Sequence, residues 1–321
     1  MNNSETILIT GGAGFIGSNL AEYLVNKGVG VVCLDNLLTG KLSNIEHLMK
    51  SPKFKFVEGD IRNYEDCLAV SKSVTAISHQ AALGSVPRSI ENPIPTNEIN
   101  CQGFVNMITA AKENGIKRFV YASSSSVYGD SLASPKKEDD LGKPLSPYAV
   151  SKLTNELYGR IFYDVYGTEA IGLRYFNVFG KNQDPNGAYA AAIPKFIQLF
   201  KNGESPLIHG DGKQTRDFTY IKNVIHANEL ALTTTNKSSF GQAFNVACGA
   251  SYTVAEVVEI IKQELIKKRY AVENIQASHI DKRTGDIQNS LADISKIKEI
   301  LGFSTSYNFR EGIREYISSM D

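Results

Sequence analysis

Short apolar blocks recur along the first half of the chain, and stretches with one polar face lie between them. Thr6–Thr10 (TILIT) has the length and apolar character of a buried strand. Residues 14–27 change period: Phe15, Leu20, Leu24 and Val25 cluster on one side of a helix. Residues 29–34 (VGVVCL) predict the next strand, and residues 54–57, 74–79 and 118–122 repeat the pattern. Helical segments separate them, one near residues 97–114. Strands alternating with helices predict a parallel sheet covered on both faces.

Beyond Phe176 the texture changes. Residues 181–187, 203–206 and 210–213 are rich in Gly, Asn, Asp and Pro. Helical patterns follow at 191–201, 254–268 and 293–301. The expected fold is therefore α/β: a Rossmann-type doubly wound parallel sheet with a smaller, mostly helical C-terminal substrate domain. Residues 1–176 would form the first unit and 177–321 the second. The two interleave, because residues 244–247 read as a buried strand and about 217–248 would rejoin the first sheet.

Composition narrows the partners. Lysine plus arginine equals aspartate plus glutamate, 34 each, so the chain has no general attraction for nucleic acid or an anionic membrane. Apolar residues make up 42% of 321, enough for a sizeable core. No basic stretch leads into an apolar signal core, and no run is long enough to span a bilayer. Cys33, Cys67, Cys101 and Cys248 are far apart and form no metal-binding pair, which predicts buried free thiols and a cytoplasmic protein without a metal.

Gly11, Gly14 and Gly17 stand where the first strand turns into the first helix. Glycine permits the tight turn and close approach of backbone to a pyrophosphate, which the helix N-terminus attracts. Asp35 ends the second strand, where a carboxylate bonds ribose hydroxyls and repels a 2′-phosphate. The pattern favours NAD over NADP. A structural glycine turn with a solvated Asp35 is the competing reading. Asp60 and Ile61, after the third strand, fall where an adenine pocket is expected.

Ser146-Pro147 has the composition of a helix start. It would place Tyr148 and Lys152, four apart, on one side. A phenol with a reference pKa of about 10 is a poor base alone, and a neighbouring ammonium favours its ionised form. Residues 121–129 (YASSSSVYG) end the fifth strand, where α/β active sites collect. Four successive hydroxyls are poor core material, although a serine-rich turn capping the next helix would use them too.

Together these segments resemble the extended short-chain dehydrogenase/reductases, and within them the UDP-sugar 4-epimerases, closest to the UDP-N-acetylglucosamine 4-epimerase branch. The matching stretches are TGGAGFIGSNL, GDI, the serine run, YAVSK, LRYFNVFG, GDGKQTRDF and KRTGD, which span nearly the whole chain. The resemblance implies Tyr148 as base and acid, Lys152 as its electrostatic partner and Ser124 as the hydroxyl that helps the proton move. It implies NAD contacts from Gly11, Gly14, Phe15, Ile16, Gly17, Asp35, Asn36, Gly40, Asp60, Ile61, Gln80, Ala81, Ala82, Asn100 and Phe176, besides Tyr148 and Lys152. It implies substrate contacts from Gly84, Ser85, Ser124, Ser125, Ser126, Asn177, Gln183, Ala191, Arg216, Arg283, Asp286 and Ser290, with Arg216 and Arg283 on the UDP diphosphate.

Related 4,6-dehydratases carry Asp and Glu at the positions of Ser125 and Ser126. Hydroxyls there favour simple epimerisation through a 4-keto sugar. The resemblance puts Ser290 beside the sugar's C2 group, where some UDP-galactose epimerases have tyrosine. With Gly84 and Ser85, Gln183, Asn186 and the small run 189–192, this leaves room for an acetamido group, although small residues also simply pack. The expected substrates are UDP-GlcNAc and UDP-GalNAc, in polysaccharide biosynthesis, with a homodimer as the working form. UDP-glucose, UDP-glucuronate and a non-catalytic NAD-binding regulator remain as alternatives.

Overall fold

The structure, a computed structural model, describes residues 5–186, 190–281 and 288–320. The first half builds six strands in sequence: β1 (Thr6–Thr10), β2 (Gly30–Asp35), β3 (Phe54–Glu58), β4 (Ala76–His79), β5 (Arg118–Ser124) and β6 (Glu169–Tyr175). With the strand Gln242–Val246 they form one seven-stranded sheet, in the order β3-β2-β1-β4-β5-β6-(Gln242–Val246). Every pairing in this sheet is parallel.

Alternation along each strand feeds two cores. Leu8, Ile77, Phe119 and Tyr121 pack on one face, while Ile7, Ile9, Val31 and Val120 pack on the other. Both faces are buried, which explains why these strands read as near-continuous apolar runs. The order of strands reverses between β1 and β4, and that crevice is where doubly wound sheets take ligands.

Several boundaries differ from the sequence pattern, each for a local reason. Helix α1 (Phe15–Asn26) begins one residue after Gly14, which is its N-cap. The helix expected near 97–114 is three pieces, Pro93–Asn97, a π-helical Glu98–Gln102 and Gly103–Glu113. β5 runs two residues past the apolar block, through Ser123 and Ser124. Ser123 tolerates burial there because its Oγ donates to Glu156 Oε1 at 2.5 Å. Of the cysteines, Cys33 and Cys67 are buried, but Cys101 and Cys248 are only partly so.

The strand Gln242–Val246 pairs with β6, and the helix Ile221–Thr233 before it packs on α1 and β5. The helix Ser295–Leu301 packs against the strand Gln242–Val246, and the other C-terminal elements form a further group. They include the helices Ala192–Lys201 and Val254–Lys267 and a small sheet in which Thr215–Asp217 lies between Ser251–Thr253 and Asn289–Ser290. Among the described residues, no helix is long and apolar enough to cross a membrane.

Candidate active site

Three cavities lie along the carboxyl edge of the sheet. The first, about 500 Å³, occupies the crevice between β1 and β4. Gly11 turns the chain there at φ +67°, and a side chain on it would meet the Ala81 backbone at 2.8 Å. A Cβ on Gly17 would lie 2.2 Å from the Gly11 carbonyl oxygen, so only glycine lets α1 pack this close. The first turn of α1, with Gly14, Phe15, Ile16 and Gly17, lines the cavity. It has no side-chain cap, so its positive end and backbone N–H groups are available to an anion.

Asp35 lines the far side of this cavity and is buried. Its carboxylate accepts from the Ala13 N–H at 2.9 Å and the Leu37 N–H at 2.8 Å. Burial raises its pKa, against the pull of those bonds. Asn36 donates to Asp60 Oδ2 at 2.8 Å, and Arg62 holds Asp60 down to about 2. Leu34, Leu38 and Ile61 offer apolar walls. Backbone donors, a fixed carboxylate and flat apolar walls fit a dinucleotide.

The pair Tyr148 and Lys152 sits on the first turns of the helix Pro147–Tyr166. Ser146 caps it by accepting from the Ala149 N–H at 3.1 Å, and Pro147 occupies the first turn, as the sequence predicts. Lys152 is 2% exposed, donates to the Ala122 carbonyl at 2.8 Å and lies 5.9 Å from the centre of the Tyr148 ring. Burial lowers the Lys152 pKa to about 8. Burial raises the Tyr148 pKa, while a hydrogen bond with Ser124 pulls it down.

Ser124 and Tyr148 line the first cavity and also a second one of about 280 Å³. This second cavity is lined by Ser125, Ser126, Asn177, Arg216 and Ser290, brought together from four separate stretches of chain. Ser290 arrives by strand pairing with Arg216. Asn177, at φ +34°, follows β6 and donates to the Asp217 carbonyl at 2.8 Å. Asn177 and Arg216 also line a third cavity of about 300 Å³, together with Ala191, Phe196, His209, Phe218 and Val254.

Some expected residues fall elsewhere. Asn100 does not reach the first cavity: it bonds both backbone groups of Leu83 and the Ser151 hydroxyl, and so fixes the loop after β4. Phe176 is fully buried and lines the second cavity, not the first. Gly40 packs on the Asp35 carboxylate, where a Cβ would come within 2.9 Å of both oxygens. Gly84, Ser85 and Gln183, expected beside the substrate, line the first cavity. Arg283, Asp286 and Tyr189 lie outside the described residues. Sequence reasoning missed Thr39, Tyr175 and Val178 in the first cavity and Phe196, His209 and Val254 in the third. Only Tyr175 and Val178, both inside LRYFNVFG, carried a signal.

It also missed the support beneath the pair. Glu156 lies one further turn down the same helix. It holds Arg174 of β6 through bonds of 2.7 and 2.8 Å. Arg174 donates in turn to the Tyr128 hydroxyl at 3.0 Å and the Glu138 carbonyl at 2.7 Å.

Comparisons with known proteins agree with this geometry. A family model described as GDP-mannose 4,6 dehydratase matches residues 8–316. A protein of Methanocaldococcus jannaschii, named a putative UDP-glucose 4-epimerase, is 38% identical over 317 residues, covering 98% of each chain. The structure of a UDP-N-acetylglucosamine 4-epimerase from Methanobrevibacter ruminantium M1, in complex with UDP-N-acetylmuramic acid, matches with TM-score 0.92 and 38% identity. It covers 99% of this chain and 98% of that one. A Thermus thermophilus UDP-glucose 4-epimerase, solved in complex with NAD, matches with TM-score 0.86 and 31% identity, covering 98% of both chains.

Proposed function

The chain belongs to the extended short-chain dehydrogenase/reductases, in the family described as GDP-mannose 4,6 dehydratase, and on that premise we propose that it interconverts UDP-N-acetylglucosamine and UDP-N-acetylgalactosamine by NAD-dependent epimerisation at C4. One observation carries the reading: Tyr148 and Ser124, with Tyr175, line both the dinucleotide cavity and the second cavity. A sugar in the second cavity faces a cofactor in the first across the hydroxyls of Tyr148 and Ser124.

The first cavity would hold NAD with its diphosphate at the α1 N-terminus and its adenosine toward Asp35. Bound there, NAD supplies a reversible hydride acceptor and a positive charge near the phenol. Tyr148, relayed by Ser124, takes the proton of the C4 hydroxyl and later returns it. Lys152 lends the charge that favours phenolate and fixes the helix to the Ala122 carbonyl. Arg216 and the third cavity would hold the UDP. In this reading residues 1–176 with 217–248 hold the cofactor, and the rest of 177–321 holds the sugar nucleotide.

The family description names a dehydratase, yet elimination of water needs an added acid. Among the described residues lining the second cavity there is no aspartate or glutamate. Ser125 and Ser126 stand where that acid would act. This supports epimerisation, in which the cofactor leaves the cycle unchanged. Purified protein is expected to release NAD on denaturation and to accumulate no NADH during turnover. The deciding experiment incubates it with UDP-GlcNAc, UDP-Glc and UDP-GlcA and separates the epimers; stoichiometric NADH with an oxidised sugar would mean a dehydrogenase.

Ser290 lines the cavity beside Tyr148, which supports an N-acetylated substrate. Ser290→Tyr would fill the space of an acetamido group, and overpacking typically costs about 1–3 kcal/mol. The kcat/KM for UDP-GlcNAc is expected to fall about 10- to 100-fold relative to UDP-Glc. Equal losses on both would remove Ser290 from the sugar wall. One observation favours UDP-glucuronate as a second reading: Lys136 lines the same cavity, 6% exposed, and its ammonium, which donates to the Ser131 carbonyl, would suit a carboxylate. The UDP-GlcA arm of the experiment decides that point.

A homodimer belongs to the same proposal. Val150, Leu157, Ile161 and Val165 are each more than half exposed along the outer face of the helix Pro147–Tyr166. Such a stripe on a neutral protein suits a helical contact with a second copy. Sedimentation should then give the mass of two 35.2 kDa chains.

A further inference from the structure

Residues 181–184 leave the end of the sheet and run back along the first turns of α1. The Lys181 carbonyl accepts from Asn19 Nδ2 at 2.8 Å, and its ammonium meets Glu22 at 3.1 Å. Asn182, held at φ +67°, donates to the Ser18 hydroxyl at 3.0 Å. Asp184 receives Lys41 Nζ at 2.7 Å. Lys41 follows the part of the β2 loop that carries Leu38 and Thr39 into the first cavity, and its N–H donates to the Ala13 carbonyl at 3.0 Å. The segment is therefore fastened to α1 and to the loop after β2. The Lys41–Asp184 pair is exposed and contributes little by itself; the fastening lies in several ties acting on four consecutive residues.

Gln183 sits between these ties and lines the first cavity. Its Nε2 donates to the Val178 carbonyl at 3.0 Å, which fixes the amide orientation. Its Oε1 is buried without a protein partner. Buried polar oxygens are nearly always paired, so an unpaired one on a residue that lines a ligand cavity calls for a donor from the ligand. An acceptor oxygen does not suit a phosphate. It suits a hydroxyl or amide N–H of the dinucleotide.

We propose that residues 181–184 are a clasp that retains the cofactor, with Gln183 accepting a hydrogen bond from the dinucleotide while its neighbours lock the segment to α1 and to the β2 loop. The clasp rests on the NAD-binding reading above. It gives Gln183 a cofactor role in place of the substrate role expected from sequence. It also accounts for how a hydride carrier that must not diffuse away between half-reactions is kept.

The test follows exchange of bound NAD against radiolabelled NAD in the full-length protein. Gln183→Leu removes the acceptor. Asn182→Gly keeps the positive φ but removes the tie to Ser18, and Asp184→Asn removes the charge that holds Lys41. Loss of one such bond is worth about 3- to 10-fold. Gln183→Leu and Asn182→Gly are expected to release NAD about that much faster and Asp184→Asn by less, each with unchanged circular dichroism. Pairing Lys41→Asp with Asp184→Lys should restore slow release. Wild-type protein that retains NAD while all three variants exchange at its rate would overturn the clasp alone. Wild-type protein that binds no NAD would overturn the functional reading and the clasp with it.

Discussion

Replacing Tyr148 with phenylalanine is expected to lower kcat by about 10²–10⁴-fold, the usual contribution of a general base. The ring stays, so packing around it is kept, and only the proton carrier is lost. Ser124 remains, but a serine hydroxyl has no stabilised anionic form here. Lys152→Met should cause a loss of similar order by removing the charge beside the phenol. The sign of the pH effect follows from burial: the Lys152 pKa is lowered to about 8, so its charge is present below that pH and lost above it. Its support of the phenolate therefore declines as pH rises past about 8 in the free enzyme, which kcat/KM reports. Lys152→Arg should push that decline to higher pH. Wild-type kcat in a folded Tyr148→Phe protein that still binds NAD would remove Tyr148 from the chemistry.

Much of the first half was legible because local pattern and tertiary demand agree there. A buried parallel strand must be apolar on both faces, so β1, β2 and β5 announce themselves. Gly11 and Gly17 are legible because no other residue meets the backbone distances at that turn. Ser146, Tyr148 and Lys152 lie within seven residues of one helix start, so their shared face is a property of the period alone. The second cavity was not legible in this way. Ser124, Asn177, Arg216 and Ser290 come from distant stretches, and their meeting depends on how Thr215–Asp217 pairs with Asn289–Ser290. Resemblance supplied those residues where physics could not. It puts Asn100 at the cofactor, whereas its amide bonds the Leu83 backbone, and Gln183 at the substrate, whereas it lines the first cavity. Side-chain amides bond equally well to backbone or ligand, so sequence does not tell the two uses apart.

Arg174→Met is expected to destabilise the fold by about 3–5 kcal/mol, the usual cost of breaking a buried ion pair from one side. The side chains of Arg174 and Glu156 are 4% and 9% exposed, and their bonds are bidentate. Removing the guanidinium leaves a carboxylate in a nearly dry site with Ser123 as its remaining side-chain donor. It also strands the Glu138 carbonyl and loosens the Tyr128 hydroxyl, which still donates to Asn245 at 2.6 Å. Glu156 continues the spacing of Tyr148 and Lys152 down one helix face, so its anchor on β6 also fixes the height of the catalytic pair above the sheet. The loss should therefore appear twice, as a lower urea midpoint and as a reduced kcat at temperatures where the variant is folded. A double variant, Glu156→Leu with Arg174→Met, separates pair from position. Replacing both charges with apolar groups removes the uncompensated carboxylate, and such exchanges are often neutral or stabilising. The double variant should regain most of the stability lost by Arg174→Met while its kcat stays low, because the bonded anchor is still missing. If Arg174→Met unfolds within about 1 kcal/mol of the wild type, the pair is not the support that its burial implies.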